Sequence, residues 1–341
     1  MTSPTRPRPA TGHDDFADRA RPHRPELLAY CYRMLGSVHD AEDLVQETYL
    51  RAGRKYDSFE ERCSIRTWLY RIATNACLTT LENRERRPLP AGVCAPSGDP
   101  GGPFAAAWTD VAWLQPAPDA LLIPPVEDPA VVAVRRGTLR LALIAALQLL
   151  PPRQRAVLIL RDVLAMRAAE VAGLLGTSVP AVKSLLQRAR ARLDEVAPSE
   201  DDAAELPDAE RRELLDRYLA AFENADVAAL LGLLTRDAVL EMPPYPAWFA
   251  GRDAVGAFLA AHVLTRPGLN RVVRTAANGQ PAMAVYRQGP DGVHRGHWIM
   301  VLDVSAAGVG RITAFREDLR LFDLFGLPRA LPLEQEAVRG R

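Results

Sequence analysis

Ten of the 28 prolines in this 341-residue chain fall between Pro88 and Pro129. Proline fixes its own φ and has no backbone N–H, so neither a helix nor a central strand runs through such a stretch. Any packed core must be built on one side of it or the other. The stretch has little hydrophobic periodicity and reads as a linker. A second break lies between Pro198 and Glu210, where six acidic residues occur with no basic one. That composition belongs to a solvated connection. At about 100–200 residues per domain, the length fits two or three domains.

Before the first linker the apolar residues recur at helical spacing. Leu27, Leu28, Cys31, Met34 and Leu35 form one stripe, Leu44, Val45, Thr48 and Tyr49 a second, and Trp68, Leu69, Ile72, Ala73 and Ala76 a third. Helical patterning returns over 130–150, stops at Pro151-Pro152, and resumes as short helices to Leu193. After the acidic linker the texture changes. Asp208 is placed to cap a helix carrying Leu214, Leu215, Tyr218, Leu219 and Phe222, and Asp226 a second helix through Leu234. Alternating runs follow at 238–242, 272–275, 282–287, 297–304 and 311–315, separated by turn signals such as Asn278-Gly279. Helices followed by a meander of strands predict an α+β domain of about 120 residues.

The formal charge is zero, 42 basic against 42 acidic side chains, but the charges are unevenly placed. Residues 150–193 hold eight Arg/Lys and two acids. Within them Gly176 is placed to end the short helix over 168–175. Thr177 or Ser178 then caps a second helix from Val179, with Pro180 in its first turn. Two helices joined by a glycine turn are a helix-turn-helix, whose second helix enters the major groove. Val182, Leu185, Leu186 and Leu193 face inward, which leaves Ser178, Lys183, Ser184, Gln187, Arg188, Arg190 and Arg192 for phosphates and base edges. The alternative for this segment is a basic surface helix in an ordinary helical pair.

The earlier helical block has its own polarity. Asp40, Glu42, Asp43 and Glu47 are acidic within eight residues that contain no base. Further on, Arg62, Arg66 and Arg71 interleave with Trp68 and Tyr70. Aromatics flanked by arginine suit melted nucleic acid, although a Trp and a Tyr on a helix are more often core residues. An acidic helix beside a basic, aromatic one suits two different partners.

Several classes are excluded. The four cysteines, Cys31, Cys63, Cys77 and Cys94, match no zinc or CxxC spacing and read as plain thiols. No metal site or cofactor is expected, and no HExxH, Walker loop or nucleophile elbow occurs. The polar, Pro- and Arg-rich N-terminus is not a secretory signal, and no apolar run reaches membrane length. A soluble cytoplasmic protein with no membrane contact is expected.

The stretch "LLAYCYRMLGSVHDAEDLVQETYLRA" followed by "RTWLYRIATNACL" closely resembles region 2 of the extracytoplasmic-function sigma factors of bacterial RNA polymerase. "LLPPRQRAVLILRDVLAMRAAEVAGLLGTSVPAVKSLLQRARARL" resembles their region 4. The resemblance implies that Asp40, Glu42, Asp43, Gln46 and Glu47 dock on core polymerase, with its β′ and β subunits as partners. It implies that Arg62, Arg66, Thr67, Trp68, Arg71 and Asn75 meet the melted −10 element, with a loop at about 58–65 holding a flipped base. The helix from Ser178 would read the −35 element of promoter DNA. Met166 departs from the pattern, standing where many relatives carry an aromatic residue.

The final segment, with "LLDRYLAAFENADVAALLGLLTRDAVLEMPP", resembles the SnoaL-like domain, an α+β cone with a curved sheet around a pocket. "WLQP" at Trp113–Pro116 resembles a linker motif of sigma factors that carry such a domain, where it is thought to contact that domain. The organisation expected is therefore multidomain: two all-α sigma modules followed by an α+β SnoaL-like cone. The boundaries are a disordered tail over 1–22, region 2 over 23–87, the Pro-rich linker over 88–130 and region 4 over 131–197. An acidic linker over 198–207, the cone over 208–330 and a tail over 331–341 complete the chain. Pocket candidates are Glu241, Tyr245, Trp248, Tyr286 and His297, with His294 and Asp303 as further polar groups. No catalytic residue is assigned, since acid/base work needs paired groups in a defined geometry. A small-molecule ligand of this domain is the favoured use of the pocket. The expected function is promoter recognition and transcription initiation, modulated in cis by the C-terminal domain. The alternatives are an autonomous helix-turn-helix regulator and a SnoaL-type enzyme fused to a DNA-binding module.

Overall fold

Gly36 and Ser37 make the first corner of the chain. Helix α2 (Arg24–Leu35) ends because Gly36 takes the left-handed conformation at φ 66°, which glycine adopts without a Cβ penalty. Ser37 then turns extended, and its Oγ accepts the Asp40 N–H at 3.2 Å to cap α3 (Val38–Lys55). The third helix of this block is α4 (Ile65–Glu82). These elements belong to a computed structural model that describes residues 12–59, 63–82, 86–103, 106–123, 136–196, 206–316 and 319–332. The chain divides into two compact units, one of residues 1–85, 121–125 and 147–196, the other of 86–120, 126–146 and 197–341.

In the first unit α2 is buried continuously from Leu27 to Leu35, as expected of a central helix with partners on all sides. Tyr30 meets Tyr70 of α4 edge-on at 5.2 Å, and its hydroxyl pairs with Thr74 Oγ1 at 2.7 Å. Helix α1 (Gly12–Ala20) precedes them, which corrects the expectation of a disordered tail over 1–22. Its anchor is Phe16, buried against Tyr49 and Tyr56. Cys31 and Cys77 are buried free thiols, and Cys63 and Cys94 are free and half-buried. Burial and the neighbouring Cys77 hold the Cys31 thiol well above its ordinary range.

The same unit contains α6 (Pro152–Leu158), α7 (Ala168–Leu175) and α8 (Val179–Val196). Gly176 ends α7 at φ 60°, and Ser178 Oγ accepts the Ala181 N–H at 3.3 Å, as the helix-turn-helix reading requires. Met166 is buried, so the departure from an aromatic residue leaves an apolar side chain in the core. Arg155 ties α6 to α2. Its guanidinium is buried and donates to the Met34 carbonyl, to Gln148 Oε1 at 2.7 Å, and to the Gln148 and Leu150 carbonyls at 3.0 and 3.1 Å. Four acceptors offset the desolvation of this cation, and burial pushes it down to about 10.

The second unit is the α+β cone with the linker packed on it. Helix α5 (Leu141–Gln148) is shorter than the 130–150 run expected, of which 130–135 lies outside the described residues. Helix α9 (Asp208–Glu223) starts one residue earlier than expected. Pro207 takes the cap position and Asp208 lies in the first turn, paired with Arg211. Asp226 caps α10 (Val227–Leu231) through the Ala229 N–H at 2.9 Å, but α10 stops short of Leu234. Leu234 opens β1 (Leu234–Glu241), pairing with Val309.

The strands are β1, β2 (Trp248–Ala250), β3 (Asn270–Ala277), β4 (Gln280–Gln288), β5 (His294–Ser305), β6 (Gly308–Arg316) and β7 (Ala330–Leu331). Their order is β2-β1-β6-β5-β4-β3, with β7 on β5. Among the described strands only the β1–β6 pairing is parallel; the other pairs are antiparallel. The β3–β4 hairpin turns on Asn278 at φ 59° and Gly279 at φ 69°, the double left-handed geometry of a type I′ turn. Helices α9, α10 and α11 (Arg252–Phe258) cover one face, where Tyr218, Phe222, Phe258, Met283, Val285, Trp298 and Met300 pack together. Ala284, Ile299 and Val301 alternate with them and are buried too, so the central strands are covered on both faces.

Candidate functional site

On α3 the residues Ala41, Leu44, Val45 and Thr48 point into the bundle. The helical period then sends Asp43, Gln46 and Glu47 outward, where all three are exposed. Asp40 and Glu42 are half-buried at the edge of that face, Glu42 lying 3.9 Å from Arg24. Among the sequence-derived residues of this stretch, three form an open acidic surface and two flank it.

The candidates on α4 divide more sharply. Arg71 and Asn75 are exposed one turn apart. Arg66 is half-buried and already committed: its Nε and Nη2 grip Glu26 at 2.9–3.1 Å, and its guanidinium lies 5.1 Å from the Tyr70 ring. The Glu26 hydrogen bonds hold its proton even more firmly than usual. Thr67 donates to Glu170 Oε1 of α7 at 3.3 Å. Trp68 is buried and stacked on Phe59 at 4.8 Å, and Tyr70 is fully buried. Both aromatics therefore contribute to packing. Arg62 and part of the 58–65 loop lie outside the described residues.

On α8, Val182 and Leu186 are buried, while Lys183, Ser184, Gln187 and Arg188 share one exposed face. Ser178 is exposed at the start of the helix. Arg188 donates to Ser184 Oγ at 2.9 Å. Arg190 makes a two-pronged pair with Asp162 at 2.9 and 2.7 Å. Three carboxylates, Glu26, Asp162 and Glu170, thus contact nucleic-acid candidates. Sequence reading missed them because helical periodicity says nothing about partners 28 to 103 positions away.

The C-terminal candidates do not share one pocket. Glu241 is fully buried, its Oε2 accepting from Arg311 at 2.6 Å and its Oε1 from the Ala91 N–H at 2.9 Å. Trp248 Nε1 donates to the Cys94 carbonyl at 2.9 Å, and the Tyr286 hydroxyl to the Pro328 carbonyl at 2.8 Å. Asp303 pairs with Arg140, and His294 Nε2 lies 3.0 Å from the Gly268 carbonyl. His297 alone of the five pocket candidates lines a cavity of about 310 Å³, with His262, Val263, Arg287, Trp298 and Arg316. Tyr245 stands behind it, its hydroxyl accepting from Arg316. Burial first, then Arg316 and Arg287, pushes His297 down to about 4. Among the described residues no cluster of His, Cys, Asp or Glu is arranged to hold a metal ion, and no helix is long and apolar enough to cross a membrane.

Glu241 and Trp248 belong instead to a set of bonds that fixes the linker to the cone. Ser97 N–H donates to the Trp248 carbonyl at 2.8 Å, and Trp108 N–H to that of Pro244 at 3.0 Å. The β3–β4 turn grips hardest. Asn278 is fully buried; its Oδ1 accepts the Ala117 N–H at 2.9 Å and its Nδ2 donates to the Leu139 carbonyl at 3.0 Å. The Asn278 N–H reaches the Ala117 carbonyl at 3.0 Å, and the Gly279 N–H reaches Asp119 Oδ1 at 2.7 Å. Gln280 Oε1 accepts the Leu141 N–H at 2.8 Å. Trp113 and Leu114 are buried; Trp113 Nε1 donates to the Trp108 carbonyl, the Trp113 carbonyl accepts from Arg87, and the Leu114 N–H donates to the Pro88 carbonyl. The cone thus holds the linker on both sides of the "WLQP" motif, at Ala91, Cys94, Ser97 and Trp108 before it and at Ala117 and Asp119 after it.

Comparison with known proteins agrees with this division. The sigma-70 region 2 model matches residues 20–87, the sigma-70 region 4 model residues 140–193, and the SnoaL-like domain model residues 215–315. A helical region 2, a helix-turn-helix region 4 and an α+β SnoaL-like domain define a sigma-70-type initiation factor with an added domain. The ECF RNA polymerase sigma factor SigG of Mycobacterium tuberculosis is 50% identical over 319 residues, covering 93% of this chain and 85% of that protein. SigJ of the same organism is 29% identical over 330 residues, covering 93% and 96%. The SigJ crystal structure has the same fold, with a TM-score of 0.59 at 23% identity over 92% of this chain and all of that one. The chain belongs to the extracytoplasmic-function sigma factors, the subunits that direct RNA polymerase to promoters.

Proposed function

We propose that this sigma factor is modulated in cis by its C-terminal domain, which fixes the length of free linker between the two DNA-reading modules. Region 2 engages core polymerase through Asp43, Gln46 and Glu47, flanked by Asp40 and Glu42. It meets the −10 element through Arg66, Thr67, Arg71 and Asn75. Region 4 presents Ser178, Lys183, Ser184, Gln187, Arg188 and Arg190 to the −35 element. Two tethered modules bind together only when the tether spans their sites, and affinity falls if the usable tether is too short or too long. A flexible run of about 42 residues has an r.m.s. span on the order of 35–40 Å. Pinning it in the middle shortens the part free to adjust.

The observation that carries this reading is the Asn278 grip on Ala117, inside the linker, and on Leu139, just ahead of the residues matched to region 4. The pairs Arg66–Glu26 and Arg190–Asp162 fit the same picture. Promoter phosphates have to displace those carboxylates, so the free factor is held back until polymerase and promoter together repay the exchange. The domain acts by binding, without turnover and in the cytoplasm where polymerase works. Glu241 and Tyr286, two of the pocket candidates, are committed to Arg311 and to the Pro328 carbonyl. The cavity at His297 receives a small molecule.

Run-off transcription with core RNA polymerase tests this, comparing the full chain with a chain stopped after Glu195 on a template from the gene's own upstream region. A change in promoter affinity or transcript yield is expected. Identical curves for the two proteins would remove the cis-regulatory reading and leave the sigma assignment intact.

A further inference from the structure

A second cavity, of about 190 Å³, lies toward the other end of β4 from His297. Its floor is the helix-covered face of the sheet. Arg274 faces Met283 across the β3–β4 ladder and Ala276 faces Pro281, so alternation brings all four to one side, with Leu302 beyond them on β5. Leu215 and Leu219, about one turn apart on α9, form its roof. The mouth is closed by chain from outside the cone. The Gly279 N–H holds Asp119 Oδ1 of the linker at 2.7 Å. The Arg136 backbone packs so closely on Gly279 that a Cβ there would come within 2.6–2.7 Å of it. Asp119 and Arg136 both line the cavity. A molecule in this space therefore touches the sheet, α9 and the linker at once.

The lining selects a neutral guest. Three arginines and one carboxylate border the cavity, and each already faces an opposite charge. Arg274 pairs with Asp216 and Arg211 with Asp208, while Arg136 and Asp119 attract one another. A charged guest has to break one of these pairs or leave its own charge uncompensated in a partly dry slot. Asp119 is the polar group best placed to recognise a guest. Burial pushes its carboxyl up, against the Gly279 N–H and Arg136, which pull it down. A carboxylate short of water gains from a further hydrogen-bond donor. The floor and roof otherwise offer Leu215, Leu219, Pro281, Met283 and Leu302, an apolar bed. An apolar cavity of about 150 Å³ takes a benzene molecule, so this one has room for such a body and one polar group.

We infer that the cavity between α9, the β3–β4 hairpin and Asp119 is an effector site for a small neutral molecule, an alcohol or amide on an apolar body about the size of a benzene ring, whose binding holds the linker on the cone. The polar group donates to Asp119 and the body lies between α9 and β4. The guest makes its full set of contacts only while Asp119 and Arg136 are in place. It therefore shifts the linker toward the held state by as much as the held state improves its affinity. This deepens the reading of the cone as the part that fixes the linker, and names the class of molecule that sets how firmly.

The test uses the full chain, with benzyl alcohol as the probe and benzoate and benzylamine as charged counterparts of similar shape. Calorimetric titration is expected to show the alcohol binding at least about tenfold more tightly than either ion. With the alcohol at about ten times its Kd, hydrogen exchange over 113–123 and 136–148 is expected to slow about fivefold or more. A β5 peptide over 296–304 keeps its rate. Ala276→Phe, at an exposed position of the edge strand β3, plugs the slot and should remove both effects. Ala276→Leu, a smaller plug, falls between and guards against a folding defect in the first variant. Binding that leaves linker exchange unchanged, or that survives Ala276→Phe, would overturn the proposal by placing the molecule elsewhere. Equal or tighter binding of an ion would overturn the neutral class. Binding of none of the three would overturn the site itself. The reading of the cone as the holder of the linker fails separately, if the truncated chain transcribes like the full one.

Discussion

Asn278→Gly separates the linker grip from the turn that supplies it. Glycine keeps the φ of 59° that the β3–β4 turn needs, so the hairpin is retained at a cost of about 1 kcal/mol or less in chain entropy. Both side-chain hydrogen bonds to the linker go, leaving the Ala117 N–H and the Leu139 carbonyl without their partner. Orphaning a buried polar group costs about 1–3 kcal/mol, reduced where water enters the gap. Two such losses make linker release easier by about 2–4 kcal/mol, a factor of roughly 30 to 1,000 in the opening equilibrium. Hydrogen exchange read by mass spectrometry on peptides over 113–123 and 136–148 reports that equilibrium directly. Exchange there should accelerate by at least about 30-fold. A β5 peptide over 296–304 should keep its wild-type rate. Unchanged linker exchange would refute the reasoning. Acceleration in β4 and β5 to the same degree would refute it too, since Asn278 would then serve the hairpin and not the linker.

Three further outcomes follow from the same physical accounts. Gly279→Ala should release the linker as well, by steric means: its Cβ would sit 2.6–2.7 Å from the Arg136 backbone at a φ of 69°, and limited proteolysis of the linker checks it. Arg155→Met removes the donor of four buried hydrogen bonds, so the helical unit should lose about 3 kcal/mol or more and its calorimetric midpoint fall by roughly 6–12 °C. His297 should give the fold an acid sensitivity. Its imidazole faces Arg287, Arg316 and His262 and is pushed from 6.5 down to about 4, so as pH falls from 6.5 to 4 the unfolded chain takes up the proton first and stability drains away. His297→Gln should flatten the fall in melting temperature across that window, and parallel curves for variant and wild type would count against the shift.

What was legible in the sequence was what a few neighbouring residues decide together. Gly176 and Ser178 carry their own turn and cap, and Asn278-Gly279 announces a two-residue hairpin because few other pairs tolerate two positive φ angles. Five strands were visible from alternation. Three-residue β2 and two-residue β7 were not, since neither is long enough to alternate. Helix α1 was missed because one aromatic, Phe16, anchors it within a polar segment. The site was less legible than the fold for a related reason. Whether a polar residue is a ligand or a strut depends on what lies across from it, and those partners are distant in the chain. Glu241 reads as a pocket residue from its neighbours in sequence, but the Ala91 N–H, 150 positions earlier, takes its carboxylate. The same uncertainty runs the other way at Arg287, which alternation places on the inner face of β4 among core positions. Only the meeting of β4, β5 and β6 shows that a second arginine, Arg316, lines the same cavity. A family's fold can therefore be recognised from short-range patterns, while the balance of charge that decides what the fold binds is set by contacts that only the folded chain brings together.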